Sequence, residues 1–210
     1  MFDKTALDTL AALSSNGFNV YQAADAEHAA EIILSEIVPV VAPHVVSYGD
    51  SLSVHETGVL DVFRHDPDIE FIDTFEEGVD RGEIIERRRQ ALICDLFLTG
   101  TNALTENGKL VNLDMVGNRV AGLAFGPRHV VVVTGTNKIV PDANAGIRRI
   151  REVAGPQNAA RHNARTPCAK TGRCMECKSP DRICNVWSIT DKCWPKGRVH
   201  VVLIDGSLGL

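Results

Sequence analysis

Apolar and polar positions follow two alternating rhythms along this chain. "DKTALDTLAALSSNG" (3–17) repeats its apolar residues every three to four positions, which predicts an amphipathic helix closed by Gly17. "FNVYQA" is a candidate strand. "AEHAAEIILSEIV" returns to the helical rhythm, with Asp25 placed to cap it and Pro39 placed to end it. "HVVSYGDS" is a β run that breaks at Gly49, "LSVHETGVLDVFRH" reads helical, "IEFIDT" is a strand, and "EEGVDRGEIIERRRQALIC" predicts a long helix. "DLFLTGTNAL" is an apolar strand ending in a Gly/Thr/Asn turn. Asn107-Gly108 then predicts a hairpin, with Lys109 to Met115 returning as an antiparallel strand. After a short helix in "VGNRVAGLAFG", four consecutive valines in "RHVVVVTGTNK" predict a central strand covered on both faces. "PDANAGIRRIREVAG" reads as a helix starting at Pro141, and "RVHVVLIDGSLGL" as a last strand with a short tail.

Strands alternating with helices predict an α/β fold, with a mostly parallel sheet and helices on both faces. No repeat or low-complexity linker divides the chain. The reading is one domain over residues 1–210, with a cysteine-rich basic insertion at 161–198 before the last strand.

Charge sharpens this picture. The net charge of −5 argues against broad nucleic-acid binding, yet residues 161–198 carry nine Lys/Arg against three Asp/Glu. That segment encloses Cys168, Cys174, Cys177 and Cys184, spaced C-x5-C-x2-C-x6-C. It is too poor in apolar residues to build its own core, so a bound metal would organise it. Four thiolates suit tetrahedral zinc or a [4Fe–4S] cluster, and the spacing is neither that of a zinc ribbon nor that of a ferredoxin run. Cys193 is a fifth candidate ligand, and Cys94 reads as a buried apolar residue. No stretch is apolar enough to span a membrane, and the first residues do not resemble a secretory signal. The expected compartment is the cytoplasm, where clustered thiols bind metal or do redox chemistry more often than they form disulfides.

Candidate ligand-binding residues lie in three polar turns that should open on one sheet edge. They are Gly49, Asp50 and Ser51 in "SYGDS", Thr99, Gly100, Thr101 and Asn102 in "TGTNA", and Asn137 and Lys138 in "TGTNK". Glycine lets backbone approach a ligand, Thr and Asn add hydrogen bonds, and Lys138 adds a charge suited to a small carboxylate or phosphate. Asp114, Asn118 and Arg119 form a further candidate at a strand-to-helix junction. Arg119 could hold a carboxylate with a bidentate fork, or Asp114 or Asn118 could simply cap the helix. His55 beside Glu56 is the one histidine near these turns. Arg87 to Arg89 read either as an anion patch or as a solvated face paired with Glu83 and Glu86. No catalytic residue is assigned.

"LFLTGTNALTENGKLVNLDMVGNRVAGLAFGPRHVVVVTGTNKIV" resembles the signature region of the LUD-domain (lactate utilisation) family, and "SYGDSLSVHETG" is similar to its earlier Ser-x-Gly-x-Ser region. "CAKTGRCMECKSPDRICN" resembles a cysteine-bearing extension of one branch. The resemblance implies a fold of the sugar-phosphate isomerase and CoA-transferase type. It also implies a role, with other lactate-utilisation proteins as partners, in oxidising L-lactate to pyruvate, and it tilts the metal towards iron–sulfur. Three functions follow as expectations. The first is a redox component with a carboxylate pocket and a four-cysteine metal centre. The second is a non-redox enzyme acting on a phosphorylated or CoA-linked metabolite, with structural zinc and Glu56, Asp50 or Asp114 as nucleophile. The third is a non-catalytic assembly subunit.

Overall fold

A computed structural model describes residues 1–210. Asp3 caps α1 (Lys4–Ser15) by accepting the Ala6 N–H at 2.8 Å, and Ala6, Leu10 and Leu13 form its buried face. After β1 (Asn19–Ala23), α2 (Ala26–Ile32) is capped by Asp25 and runs through a π-helical turn at Ile33–Ile37 into α3 (Val38–Val41). The helical path therefore passes Pro39, contrary to the expected stop. The π turn lets the Val38 N–H reach back to the Ile33 carbonyl. Pro39 then sits in the first turn of the next α segment, where its missing N–H costs little.

The chain continues through β2 (Val45–Tyr48), α4 (Leu52–His55), α5 (Val59–His65), β3 (Glu70–Ile72) and α6 (Arg81–Gln90). α6 is shorter than the sequence implies, because its cap is Asp80 and a 3-10 turn at Ala91–Ile93 closes it. β4 (Leu96–Gly100), β5 (Ala103–Thr105), β6 (Leu110–Asp114), α7 (Asn118–Ala124) and β7 (His129–Gly135) follow. A 3-10 turn at Thr136–Lys138 leads into β8 (Ile139–Val140). Asp142, rather than Pro141, caps α8 (Ala143–Arg149), which continues through a second π turn at Ile150–Ala154 into α9 (Gly155–Arg161). α10 (Pro167–Thr171), β9 (Val186–Thr190) and β10 (Val199–Ile204) complete the order. The segment 161–198 is thus partly regular: it supplies α10 and β9.

Six strands form an all-parallel sheet in the order β1-β10-β7-β4-β2-β3, with the valine strand β7 near its middle. Period-two alternation sends Val131 and Val133 to one face, where Ile33, Ile37 and Phe63 pack. Val130 and Val132 go to the other face, against Leu10, Leu13, Phe97 and Leu123. Helices cover both faces, as expected of an α/β fold. A second sheet, β8-β5-β6-β9, has the predicted hairpin at its centre; β9 pairs antiparallel with β6 at one edge and β8 pairs parallel with β5 at the other. No helix is long and apolar enough to cross a membrane.

Candidate functional site

The twin TGTN sequences are the crossings between the two sheets. β4 and β7 are neighbours in the large sheet, and β5 and β8 are neighbours in the small one. Each TGTN carries the chain from one pair to the other. At the first crossing the Thr101 hydroxyl donates to the Ala103 carbonyl at 3.0 Å. The Asn102 N–H donates to Asn112 Oδ1 at 3.2 Å, and the Asn102 carboxamide oxygen accepts the Leu113 N–H at 3.0 Å. At the second crossing Thr136 and Gly206 hydrogen-bond to each other, and the Asn137 Oδ1 accepts the Leu208 N–H at 3.3 Å. Asn137 therefore anchors the tail.

A cleft of about 730 Å³ opens along the seam. Its lining includes Asp50, Ser51, Gly100, Thr101, Asn102, Asp114, Asn118, Arg119 and Lys138 from the turns. Arg81 and Arg88 from α6, and Asn158, Arg161 and His162 from the end of α9, join them. A Cβ on Gly100 would lie 2.4 Å from Ser51 Oγ, and one on Gly49 would lie 2.5 Å from Arg119 Cγ. Glycine at these two strand ends lets both side chains cross them.

Most of the charge in the cleft is already matched. Asp114 accepts the N–H groups of Arg119 and Val120 at 2.8 and 3.1 Å, which caps α7. It also receives the Arg119 Nε at 2.8 Å, while Arg119 Nη2 donates to Asn102 Oδ1 and the Leu113 carbonyl. Arg119 is thus a brace rather than an open fork. Burial raises the Asp50 carboxyl, but hydrogen bonds from His162 and Arg161 outweigh burial and hold it well below the usual carboxylate range. His55 stands 3.9 Å from Asp50 but lies outside the cleft lining, so His162 takes the place the sequence offered to His55.

Two cations differ. Lys138 is almost fully buried; its Nζ donates to Ser53 Oγ at 2.8 Å. Burial, then the nearby Arg149 and Arg119 charges, push its ammonium down to about 7, with Glu56 opposing. Lys138 is therefore divided between its base and acid forms near neutrality. Arg88 lies with its guanidinium 4.5 Å above the Phe75 ring, has no ion-pair partner, and keeps a buried Nε with no hydrogen bond. Its neighbours on α6 are spoken for: Arg87 pairs with Glu76 and Glu83, and Arg89 with Glu86.

Beside the cleft is a smaller cavity of about 250 Å³. Cys168, Cys174, Cys177 and Cys184 all line it, with Thr166, Arg182 and Trp187. Arg182 ties the loop together by donating to the Cys177 carbonyl at 3.0 Å and the Cys184 carbonyl at 2.7 Å, and its Nε is buried with no partner. Such an N–H suits a thiolate or sulfide acceptor, and the four thiols make a donor set that fits a metal centre. As placed, no three ligating side chains are gathered closely enough to share one ion. Cys193 is buried elsewhere, its sulfur accepting the Val199 N–H, and Cys94 is buried in the core with its thiol pushed up to about 12 by burial. All six cysteines are unpaired. Leu113 and Ile183 line both cavities, so one layer of side chains separates them.

The family model of the LUD domain matches residues 8–204. The chain belongs to the LUD-domain family. No curated protein matches it. Among solved structures it is similar to a DUF162 family protein from Deinococcus radiodurans, determined at 1.70 Å, with a TM-score of 0.54 and 12% identity over 97% of each chain. At that identity the likeness speaks for the fold.

Within this LUD domain, Gly49, Thr99 and Asn137 stand apart from the cleft lining that the other turn residues share. Thr99 is buried in β4, and Gly49 lies beneath Arg119. Arg161 and His162 were not singled out from sequence. Arg161 and His162 reach Asp50 from more than a hundred residues away, which local pattern does not report. Arg88 carried a signal only as the middle of an arginine run.

Proposed function

We propose that this LUD-domain protein is a redox component in the oxidation of a 2-hydroxy acid of the lactate class to its 2-oxo acid. The acid binds in the cleft, and Cys168, Cys174, Cys177 and Cys184 hold a metal centre in the adjoining cavity. The observation that carries this reading is the shared wall: Leu113 and Ile183 alone belong to both cavities. A [4Fe–4S] cluster bound there supplies one-electron transfer. The four thiols on one cavity wall, with the partnerless Nε of Arg182 among them, support a sulfur-held centre there.

The chain's own residues do the rest. Lys138, with its proton affinity near neutrality, accepts the hydroxyl proton of the acid at Nζ. Unmatched positive charge in the cleft holds the carboxylate. Converting the hydroxyl to a ketone also removes the C2 hydrogen with its two electrons, formally as hydride, so a partner protein must carry a hydride acceptor of the flavin class, which would pass the electrons on singly. The exposed Met115, Val116, Trp187 and Ile189, with the basic side chains of the cysteine segment, offer that partner a surface. A carboxylate nucleophile, which the transferase reading needs, finds less support. Asp50 is held by Arg161 and His162, Asp114 by Arg119, and Glu56 accepts the Gly209 N–H.

Protein purified without oxygen is expected to be brown, with iron and acid-labile sulfide in equal amounts and an absorbance that bleaches on reduction. Zinc alone, or no metal, removes the electron-transfer role.

A further inference from the structure

Three features of the cleft are not used by a three-carbon monoanion. The first is size. About 730 Å³ is the space of a metabolite or drug-sized ligand, and lactate fills a small part of it. The second is Arg88. Its guanidinium is half-buried on Phe75 and lacks an ion-pair partner, and its buried Nε lacks a hydrogen bond. Leaving such a group unmatched is costly, and a bound anion would satisfy it. Arg81 lines the same part of the cleft, and its like charge acts on Arg88. Asp50 and Asp114 also act on Arg88, but both are committed to other partners. The third is separation. Lys138 stands at the second crossing with its Nζ on Ser53, whereas Arg88 stands on α6 over Phe75. The cleft is therefore lined by two basic poles on different elements, Lys138 and Arg88.

We propose that the acid bound in the cleft carries two anionic groups, one received near Lys138 and the other by Arg88 with Arg81. The second group is a carboxylate or a phosphate, since a guanidinium fork receives either. This inference rests on the reading of the cleft as the ligand site and does not depend on the cysteine cavity. Only a two-ended ligand engages both poles at once; a single carboxylate leaves one of them unmatched.

The test is calorimetric titration of the full chain with four probes: L-lactate, L-malate, 2-hydroxyglutarate and 3-phosphoglycerate. At least one dianion is expected to bind about tenfold or more tightly than lactate, the ratio that one added charge-assisted contact confers. Malate or 2-hydroxyglutarate ahead of 3-phosphoglycerate assigns the second group as carboxylate, and the reverse order assigns it as phosphate. Arg88→Gln should abolish most of that ratio, and Arg88→Lys should restore part of it. Unfolding midpoints matching the parent chain for both variants exclude a folding defect. Equal affinity for lactate and all dianions, binding by none of the four, or an Arg88→Gln variant that weakens every probe alike would each overturn the proposal. The outcomes separate from those of the redox reading. A protein without iron that keeps the dianion preference sinks the redox role alone, and an iron-bearing protein without the preference sinks this inference alone.

Discussion

Replacing Lys138 with methionine tests the energetics of the cleft directly. Methionine keeps the length of the side chain and removes the titrating nitrogen, and Ser53 Oγ retains the Leu208 carbonyl as a partner. The folded-state Lys138 titrates at about 7 against an ordinary value of 10.5. Below pH 7 both folded and unfolded chains carry the proton, and the folded chain bears the cost of a buried charge. As pH rises through 7 the folded chain releases the proton while the unfolded chain keeps it until about 10.5, so stability rises across that window. At about 1.4 kcal/mol per pH unit the whole window is worth on the order of 4 to 5 kcal/mol, and about 3 kcal/mol of it falls between pH 6 and 9. Urea denaturation of the parent chain and the Lys138→Met variant at several pH values gives the difference directly. The parent should gain about 3 kcal/mol relative to the variant from pH 6 to pH 9. Parallel stability curves over that range would refute the buried, depressed lysine and remove the proton acceptor from the proposed chemistry.

Other outcomes follow from neighbouring features. His200 is buried, and burial followed by the His129 charge pushes it down to about 4 from 6.5. Its folded form resists protonation, so stability present above pH 6.5 is lost as pH falls towards 4. Relative to His200→Gln, the parent should lose about 2 kcal/mol between pH 7 and pH 5 in urea titrations. Asp50→Asn should cost about 2 kcal/mol by unpairing Arg161 and His162, and should raise chloride or sulfate affinity in the cleft, read by thermal shift. Cys174→Ser and Cys184→Ser should each lower bound metal and visible absorbance, whereas Cys193→Ser should leave both unchanged. Arg182→Gln should shift the reduction potential of any bound centre to lower values, because it removes positive charge and an N–H donor beside the sulfurs.

Strand and helix rhythms made the large sheet legible, because its inner strands β2, β4, β7 and β10 are apolar runs covered on both sides. The second sheet was harder to see. β8 has two residues, and β9 exposes much of its length, so neither leaves an apolar run of the expected kind. Pro39 misled because a π turn changes which carbonyls a helix must satisfy, and the sequence carries no marker for it. The turn residues Thr101, Asn102, Asp114 and Arg119 were recognisable by type, but their roles depend on pairing. Asp114 and Arg119 largely satisfy each other. The unmatched cation, Arg88, differs from Arg87 and Arg89 only in the direction it faces on α6, which lays it over Phe75.

The two TGTN crossings have one mechanical consequence. Each joins the sheets through two or three residues, and they lie side by side, because both strand pairs they connect are neighbours. They act as twin pins that fix one plate to the other, with Asn102 and Asn137 hydrogen-bonded into the surrounding backbone. Residues from both plates meet in the cleft between them. The cysteine segment, through β9, hangs on the outer edge of the smaller plate. Because β9 pairs with β6 along the whole of Leu110 to Asp114, the cysteine segment and one wall of the cleft are built on the same strand.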